Sequence, residues 1–381
     1  MVASGRYELV GPLATGGMAE VLLARSSGPQ GFERLFAIKR VLPERAQDPE
    51  SVRMLIDEAR NAATLSHKHI VQVFDIELRD GVLFYAMEYL HGQTLAAVLT
   101  RGGKLPLDVS LAICIAVADG LHHAHGRPSP IVHRDVAPSN VMITYDGNVK
   151  LIDFGIAKAA NNLSNTVFGT FKGRLGYSSP EQVRCEPIDR RTDVYSLAIM
   201  LYELTTGRSA LTADDEPQMI ERMASAQIRP PRQLDPAYPA DLEAIVMKGL
   251  ARDRERRYAT AADLQRDLDA FARRAGLNLS DRTLARLMTQ LFAAELEPWE
   301  RARETGLSLN EHVLRETLRT KPPGTPTAWG AHDSLDERTT VPRASRRRRS
   351  RVRARPRWAV PIAIVAALFG AAYLVTRLVM G

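Results

Sequence analysis

A change of hydrophobic period divides this chain, and few architectures accommodate it. Residues 6–90 run apolar or alternate in short pieces bounded by turn residues. Tyr7–Val10, Glu20–Ala24, Leu35–Arg40, Ile70–Ile76 and Val82–Tyr89 are predicted strands. One stretch differs: Pro49–Leu65 sets Val52, Leu55, Ile56, Ala59, Ala62 and Ala63 at helical spacing. From Leu95 to Phe271 the helical period dominates, in Leu107–His125, Thr192–Thr206, Pro217–Ala226, Ala240–Gly249 and Ala261–Arg273. The strand-like pieces Val141–Ile143 and Val149–Leu151 interrupt it. Strands first and helices after predict an α+β chain with two lobes in one domain. A helical extension is predicted over 275–320, with amphipathic helices at 281–297 and 299–319.

Charge is just as unevenly placed. The 381 residues carry a net charge of +7, but nine arginines fall between Arg343 and Arg357 with no acid among them. Removing those nine leaves about −2, so the chain as a whole is not basic. Residues 321–342 are rich in Pro, Gly, Thr and Asp, which predicts a flexible linker that continues through the arginine-rich segment to 357. Ala359–Thr376 then carries no charge. At about 1.5 Å per residue it reaches about 27 Å as a helix, and about 33 Å if continued to Met380. Trp358 stands at its edge and Arg377 can snorkel, so 358–380 is predicted to cross the membrane once. Arginine beside such a helix stays on the cytoplasmic side. Everything before 358 is therefore expected to face the cytoplasm at the inner membrane, with too little chain beyond it for an external sensor domain. Arg343–Arg357 lacks interleaved aromatics, so anionic lipid is the expected partner and nucleic acid is not. Two cysteines, Cys114 and Cys185, exclude a disulfide framework or a four-cysteine zinc site. Met1–Leu9 has no apolar run suited to a signal peptide.

The chemistry lies in the middle of the chain. His133-Arg134-Asp135 is followed by Asn140 and then by Asp153-Phe154-Gly155. Phosphoryl transfer needs metal ligands, charge neutralisation and a positioned hydroxyl. Asp135 can accept a hydroxyl proton, and Asn140 and Asp153 are hard oxygen donors suited to Mg²⁺. The two short strands between them, joined through Asp146-Gly147-Asn148, predict a hairpin that brings Asn140 and Asp153 together.

In these motifs, over about residues 7–274, the chain resembles the bacterial eukaryotic-type (Hanks) serine/threonine protein kinases, whose motifs occur here in the same order. The resemblance implies the bilobal protein-kinase fold, ATP with Mg²⁺ (or Mn²⁺) as cofactors, and protein substrates. A homodimer is one arrangement that would allow autophosphorylation. Phe36-Ala37-Ile38-Lys39 matches the strand whose lysine holds the α- and β-phosphates. Glu58 is its expected partner and Asp57 the competitor in the wrong register. Met87-Glu88-Tyr89-Leu90 matches the hinge: Met87 as gatekeeper, the backbone of Glu88 and Leu90 on the adenine edge, and Leu13, Val21, Ala37 and Met142 around the purine. For the apolar members, plain core packing is the other reading. Glu181 in Ser179-Pro180-Glu181 is expected to pair with Arg257, and Asp193 to brace the catalytic loop. His122, His123 and His125 are read as structural rather than as a metal site, and His133 as a packed residue rather than a base.

The match departs from the family in three places. The three glycines of the phosphate loop fall on Ala14, Gly16 and Ala19, with Gly17 additional, so only the middle one is kept. The lysine usual two residues after the catalytic aspartate is Ala137. Arg174 stands where a threonine is usual. One reading places the Arg174 guanidinium beside Asp135, supplying the lost charge; the other turns it to solvent or substrate. Ser164, Thr166 and Thr170 lie in the activation segment, with Thr166 and Thr170 as candidate autophosphorylation sites that would pair with Arg134. The alternatives to an active membrane-anchored Ser/Thr kinase are a catalytically weak pseudokinase scaffold, suggested by Ala14, Ala19 and Ala137, and a small-molecule phosphotransferase, which Ser179-Pro180-Glu181 argues against.

Overall fold

The structure, a computed structural model, describes residues 6–28, 33–46, 48–79, 82–154, 175–213 and 215–320. The first lobe is an antiparallel sheet of β1 (Glu8–Thr15), β2 (Ala19–Ser27), β3 (Glu33–Val41), β4 (Val73–Arg79) and β5 (Val82–Glu88), in the order β1-β2-β3-β5-β4. The helix α1 (Pro49–Ala63) lies against it. Asp48 caps α1 by accepting from the amides of Glu50 and Ser51, and Pro49 sits in the first turn, where its missing N–H costs nothing. The central strand β3 is buried on both faces, and its period of two sorts the side chains. Phe36 and Ile38 join Tyr7, Leu22 and Phe84 on one side, whereas Ala37 and Val41 meet Leu55, Ala59 and Tyr85 on the other. Lys39 therefore lies on the α1 side.

The second lobe begins with β6 (Gly92–Thr94), α2 (Leu95–Gly102) and α3 (Leu107–His125), followed by the hairpin β7 (Val141–Thr144) and β8 (Val149–Leu151). Its helices are α4 (Pro180–Val183), α5 (Arg191–Thr206), α6 (Glu216–Ser225), α7 (Pro231–Leu234), α8 (Ala240–Gly249) and α9 (Ala261–Arg274). Helices α3 and α5 are apolar nearly all round because other helices enclose them in the main core. Among the described residues α3 alone is long and apolar enough to cross a membrane, and here it is the buried centre of this lobe.

The predicted strand Ile70–Ile76 begins three residues late. Val71 N–H donates to Leu151 O and Leu151 N–H to His69 O, so 69–71 is committed to β8 of the other lobe before β4 can start. The extension holds three helices, not two: α10 (Asp281–Leu291), α11 (Ala293–Glu304) and α12 (Leu309–Thr320). The first predicted helix breaks where Phe292 turns into the core and Arg101 takes the Leu291 carbonyl. The second is divided by Gly306 at φ 83° and restarted by Ser308, whose hydroxyl accepts from Glu311 N–H while the Glu311 carboxylate accepts from Ser308 N–H. Residues 321–381, with the predicted linker, Arg343–Arg357 and the span 358–380, lie outside the described residues. So do Gly155, Ser164, Thr166, Thr170 and Arg174.

Candidate active site

Facing strand and helix bring three ionic groups together in the first lobe and at its border. Lys39 Nζ donates to Glu58 Oε1 at 2.6 Å and to Asp153 Oδ1 at 2.7 Å. The helical period selects Glu58, which is buried beside Leu55, Ala59 and Ala62, whereas Asp57 is half-exposed. Tyr85, the cross-strand neighbour of Lys39 on β5, donates its hydroxyl to the same Glu58 oxygen at 2.7 Å. Burial opposes the Lys39 ammonium, but Asp153 and Glu58 outweigh it and raise its pKa, so the cation is retained. Burial and the Asp153 carboxylate together raise Glu58, against the pull of Lys39. Asp153 itself sits at φ 57°, a left-handed backbone that turns its carboxylate to Lys39.

The second lobe supplies Asp135 and Asn140. The β7–β8 hairpin forms, and Ile152 N–H donates to Asn140 O, which fixes Asn140 next to the strand leading to Asp153. Asn140 Nδ2 donates to both Asp135 O and Asp135 Oδ2, each at 2.8 Å. With its amide nitrogen used on Asp135, the carbonyl oxygen of Asn140 is directed away from it. That oxygen accepts from the Ser139 hydroxyl at 3.4 Å, and together with the Asp153 carboxylate it is a hard donor of the kind Mg²⁺ accepts when phosphate oxygens and water complete its shell. The residues present thus fit a nucleotide-bound divalent ion.

Asp193 holds the loop that carries Asp135. It is fully buried and accepts from His133 N–H at 2.7 Å, Arg134 N–H at 2.8 Å and His125 Nε2 at 2.7 Å. These bonds keep Arg134 at φ 66°, a conformation costly for a non-glycine residue. His133 packs its ring 4.6 Å from Phe154 and reaches Ile152 O. His123 stacks on His67 at 4.9 Å, and among the described residues no cluster of His, Cys, Asp and Glu could hold a metal unaided. Burial alone would raise the Asp193 carboxyl, but the bonds from His125 and the loop outweigh it and depress its pKa. Its stabilisation is therefore complete above the unfolded carboxylate value of about 3.9 and is lost as pH falls through the lower folded value. Thermal melts from neutral to strongly acid pH should show that loss in the parent, and Asp193→Asn should flatten it while lowering stability at neutral pH.

Glu181 pairs with Arg257 in a two-pronged ion pair at 2.7 and 2.8 Å. At the hinge, the Glu88 carboxylate accepts from Gln72 N–H at 2.8 Å and from Lys150 Nζ at 2.6 Å, so its side chain ties the hinge to both lobes. Met87 and Ala37 are nearly buried, Val21 and Met142 half-buried, and Leu13 is exposed at the rim. Ala14, Gly16 and Gly17 are exposed in the β1–β2 turn, where Gly16 N–H donates to Ala19 O. Tyr85, Gln72 and Lys150 escaped the sequence reading. Their roles come from strand pairing across distant segments, which no local pattern announces.

The sequence profile of the protein kinase domain matches residues 7–268, and the chain belongs to that family. It is 42% identical over 70% of its length to the tyrosine-protein kinase MasK of Myxococcus xanthus, covering 43% of that protein. It is 38% identical to the serine/threonine-protein kinase PknB of Mycobacterium tuberculosis (70% of this chain, 42% of that one) and 34% identical to PrkC of Bacillus subtilis (70% and 40%). The chain thus spans less than half the length of these curated relatives. Among solved structures, a Mycobacterium tuberculosis PknI kinase domain superposes with a TM-score of 0.54 at 30% identity, over 71% of this chain and 96% of that one.

Proposed function

We propose that the chain is an active, ATP-dependent kinase that phosphorylates serine and threonine hydroxyls of proteins, held at the inner membrane by residues 358–380 with its catalytic domain in the cytoplasm. The ionic cluster of Lys39, Glu58 and Asp153 carries the reading, because a buried cation between two carboxylates has no apolar reason to exist. Lys39 faces the phosphates of ATP, and Asn140 and Asp153 hold Mg²⁺, which neutralises phosphate charge when bound. Asp135, oriented by Asn140, accepts the proton of the acceptor hydroxyl, and Asp193 fixes the backbone on which Asp135 stands. Leu13, Val21, Ala37, Met87 and Met142 enclose the purine, while the backbone of Glu88 and Leu90 reads its edge. Small residues at Ala14, Gly16 and Gly17 let backbone amides approach the phosphates.

Transfer of label from [γ-³²P]ATP to a general acceptor protein, followed by phosphoamino-acid analysis, tests the assignment. Phosphoserine and phosphothreonine are expected, and absence of label despite ATP binding would leave a scaffold. A tyrosine acceptor is the second reading, favoured by Ala137 in place of lysine and by the 42% identity to a protein named as a tyrosine kinase. Phosphotyrosine alone would establish it. Membrane attachment is read out separately: removing residues 358–381 should move the protein from the membrane fraction to the soluble one, and replacing Arg343–Arg357 with glutamines should weaken binding to vesicles containing anionic lipid.

Ala137 is nearly buried, so a lost cation there is not replaced by solvent. The reading that Arg174 restores it predicts a fall in kcat of about 10²-fold for Arg174→Thr. Adding Ala137→Lys should recover most of that loss. Unchanged turnover in Arg174→Ala would instead put the guanidinium in solvent.

A further inference from the structure

Helices α10–α12 cross behind the hinge and are seated at both ends. At one end, Leu284, Met288 and Phe292 enter the core of the second lobe. Arg101 of α2 pairs with Glu295 at 2.6 Å, donates to Leu291 O and lies over the Phe292 ring. The start of α10 abuts the β7–β8 turn so closely that a Cβ on Gly147 would fall 2.1 Å from Asp281 O. At the other end, Val313 and Leu314 of α12 form one buried cluster with Val10, Leu23 and Leu35 of the first lobe. Asn310 Nδ2 donates to Glu33 O, and a Cβ on Gly11 would fall 2.6 Å from Thr317 Cγ2. Both landings thus fall on glycines: a Cβ on Gly147 would strike the backbone of α10, whereas one on Gly11 would strike only the Thr317 methyl. Between them a cleft of about 640 Å³ separates the strap from the hinge residues 88–91.

We propose that α10–α12 act as a strap that sets the angle between the lobes, with the docking of α12 on β1 governing how firmly the front cleft retains nucleotide. Between its ends the strap also touches the hinge, where Trp299 of α11 meets the His91 ring at 6.4 Å and Tyr89 packs against the α12 cluster, so it couples the lobes along the hinge as well as across it. Its grip on the first lobe takes in β1, β2 and β3, and on β1 it lies three residues before Ala14, so displacement of α12 reaches the phosphate loop through the strand that leads into it. Because α12 runs directly into residue 321, whatever engages the following segment acts on that grip. The proposal rests on the nucleotide-site reading above, but its test requires no turnover.

Release of a fluorescent ATP analogue is measured by stopped flow on the full chain with Mg²⁺. Two carboxylates cannot remain in the apolar seat, so Val313→Asp/Leu314→Asp frees α12. If the closed arrangement is then populated only a third to a tenth of the time, release and the KM for ATP both rise about three- to tenfold, with a smaller change in kcat. A second protein carries Leu314→Ala, Gly11→Cys and Thr317→Cys, with the exposed Cys185→Ser, so that a disulfide can fasten α12 to β1. Its oxidised form should release nucleotide at the parent rate and its reduced form faster, a comparison made on one polypeptide. A folded double-aspartate protein with the parent rate, or a bridged protein indifferent to reduction, overturns the strap. A parent that binds nucleotide but transfers no phosphate overturns the kinase reading alone.

Discussion

Asp135→Asn is expected to cut phosphoryl transfer by about 10²–10⁴-fold, the usual contribution of a positioned base, while leaving nucleotide binding close to that of the parent. The substitution is nearly isosteric. An asparagine oxygen can still accept from Asn140 Nδ2, which now donates to Asp135 Oδ2 at 2.8 Å, and the backbone bond to Asp135 O is untouched. Lys39, Glu58 and Asp153 keep their contacts, so the phosphates meet the same cation. The capacity to take a proton is removed, together with one negative charge. The measurement is kcat with ATP at saturation, set beside the dissociation constant for ATP. A variant with the parent's kcat would show that Asp135 is not the base. Phosphosite mapping of the two proteins adds a second readout: Thr166 and Thr170 should be modified in the parent and unmodified in the variant.

Arg257→Met is expected to lower stability by about 3–5 kcal/mol, because it strands a buried carboxylate. The Arg257 side chain is fully buried and Glu181 nearly so. Burial would raise the Glu181 carboxyl, but the paired guanidinium holds it below its ordinary value. Removing both charges in Glu181→Leu/Arg257→Met should recover part of the loss. Recovery is incomplete because Arg257 also donates to the carbonyls of Ala251, Arg191 and Arg252. Urea midpoints of the parent, single and double variants decide the matter. A double variant less stable than Arg257→Met would show that the stranded carboxylate is not what the single substitution costs, since Glu181 also accepts from the Thr192 hydroxyl.

Much of this architecture is legible in the amino-acid order alone. Phe36-Ala37-Ile38-Lys39 places its lysine on one face of a strand by period two, and the helical period of 49–63 picks Glu58 over Asp57. The hairpin over 141–151 follows from Asp146-Gly147-Asn148 between two β-branched runs. What escapes is set by contacts between segments far apart. Strand β4 starts at Val73, not Ile70, because residues 69–71 are drawn to Leu151. The break at Phe292 depends on Arg101, 190 residues away from Leu291, taking a carbonyl that a continuous helix would have used. The restart at Ser308 is visible in principle, since Ser308 and Glu311 have capping-box spacing. Arg174 and the predicted span over 358–380 lie outside the described residues.

The close approach of Gly147 to Asp281 bears on how the catalytic part can be excised. A recombinant product ending near residue 274, where the helical pattern of the domain closes, would uncover the pockets that receive Leu284, Met288 and Phe292. It would also bare the patch of β1, β2 and β3 beneath Val313 and Leu314. Such a fragment should be sticky in solution and poorly expressed, whereas one that stops after Thr320 carries its own lid for both surfaces.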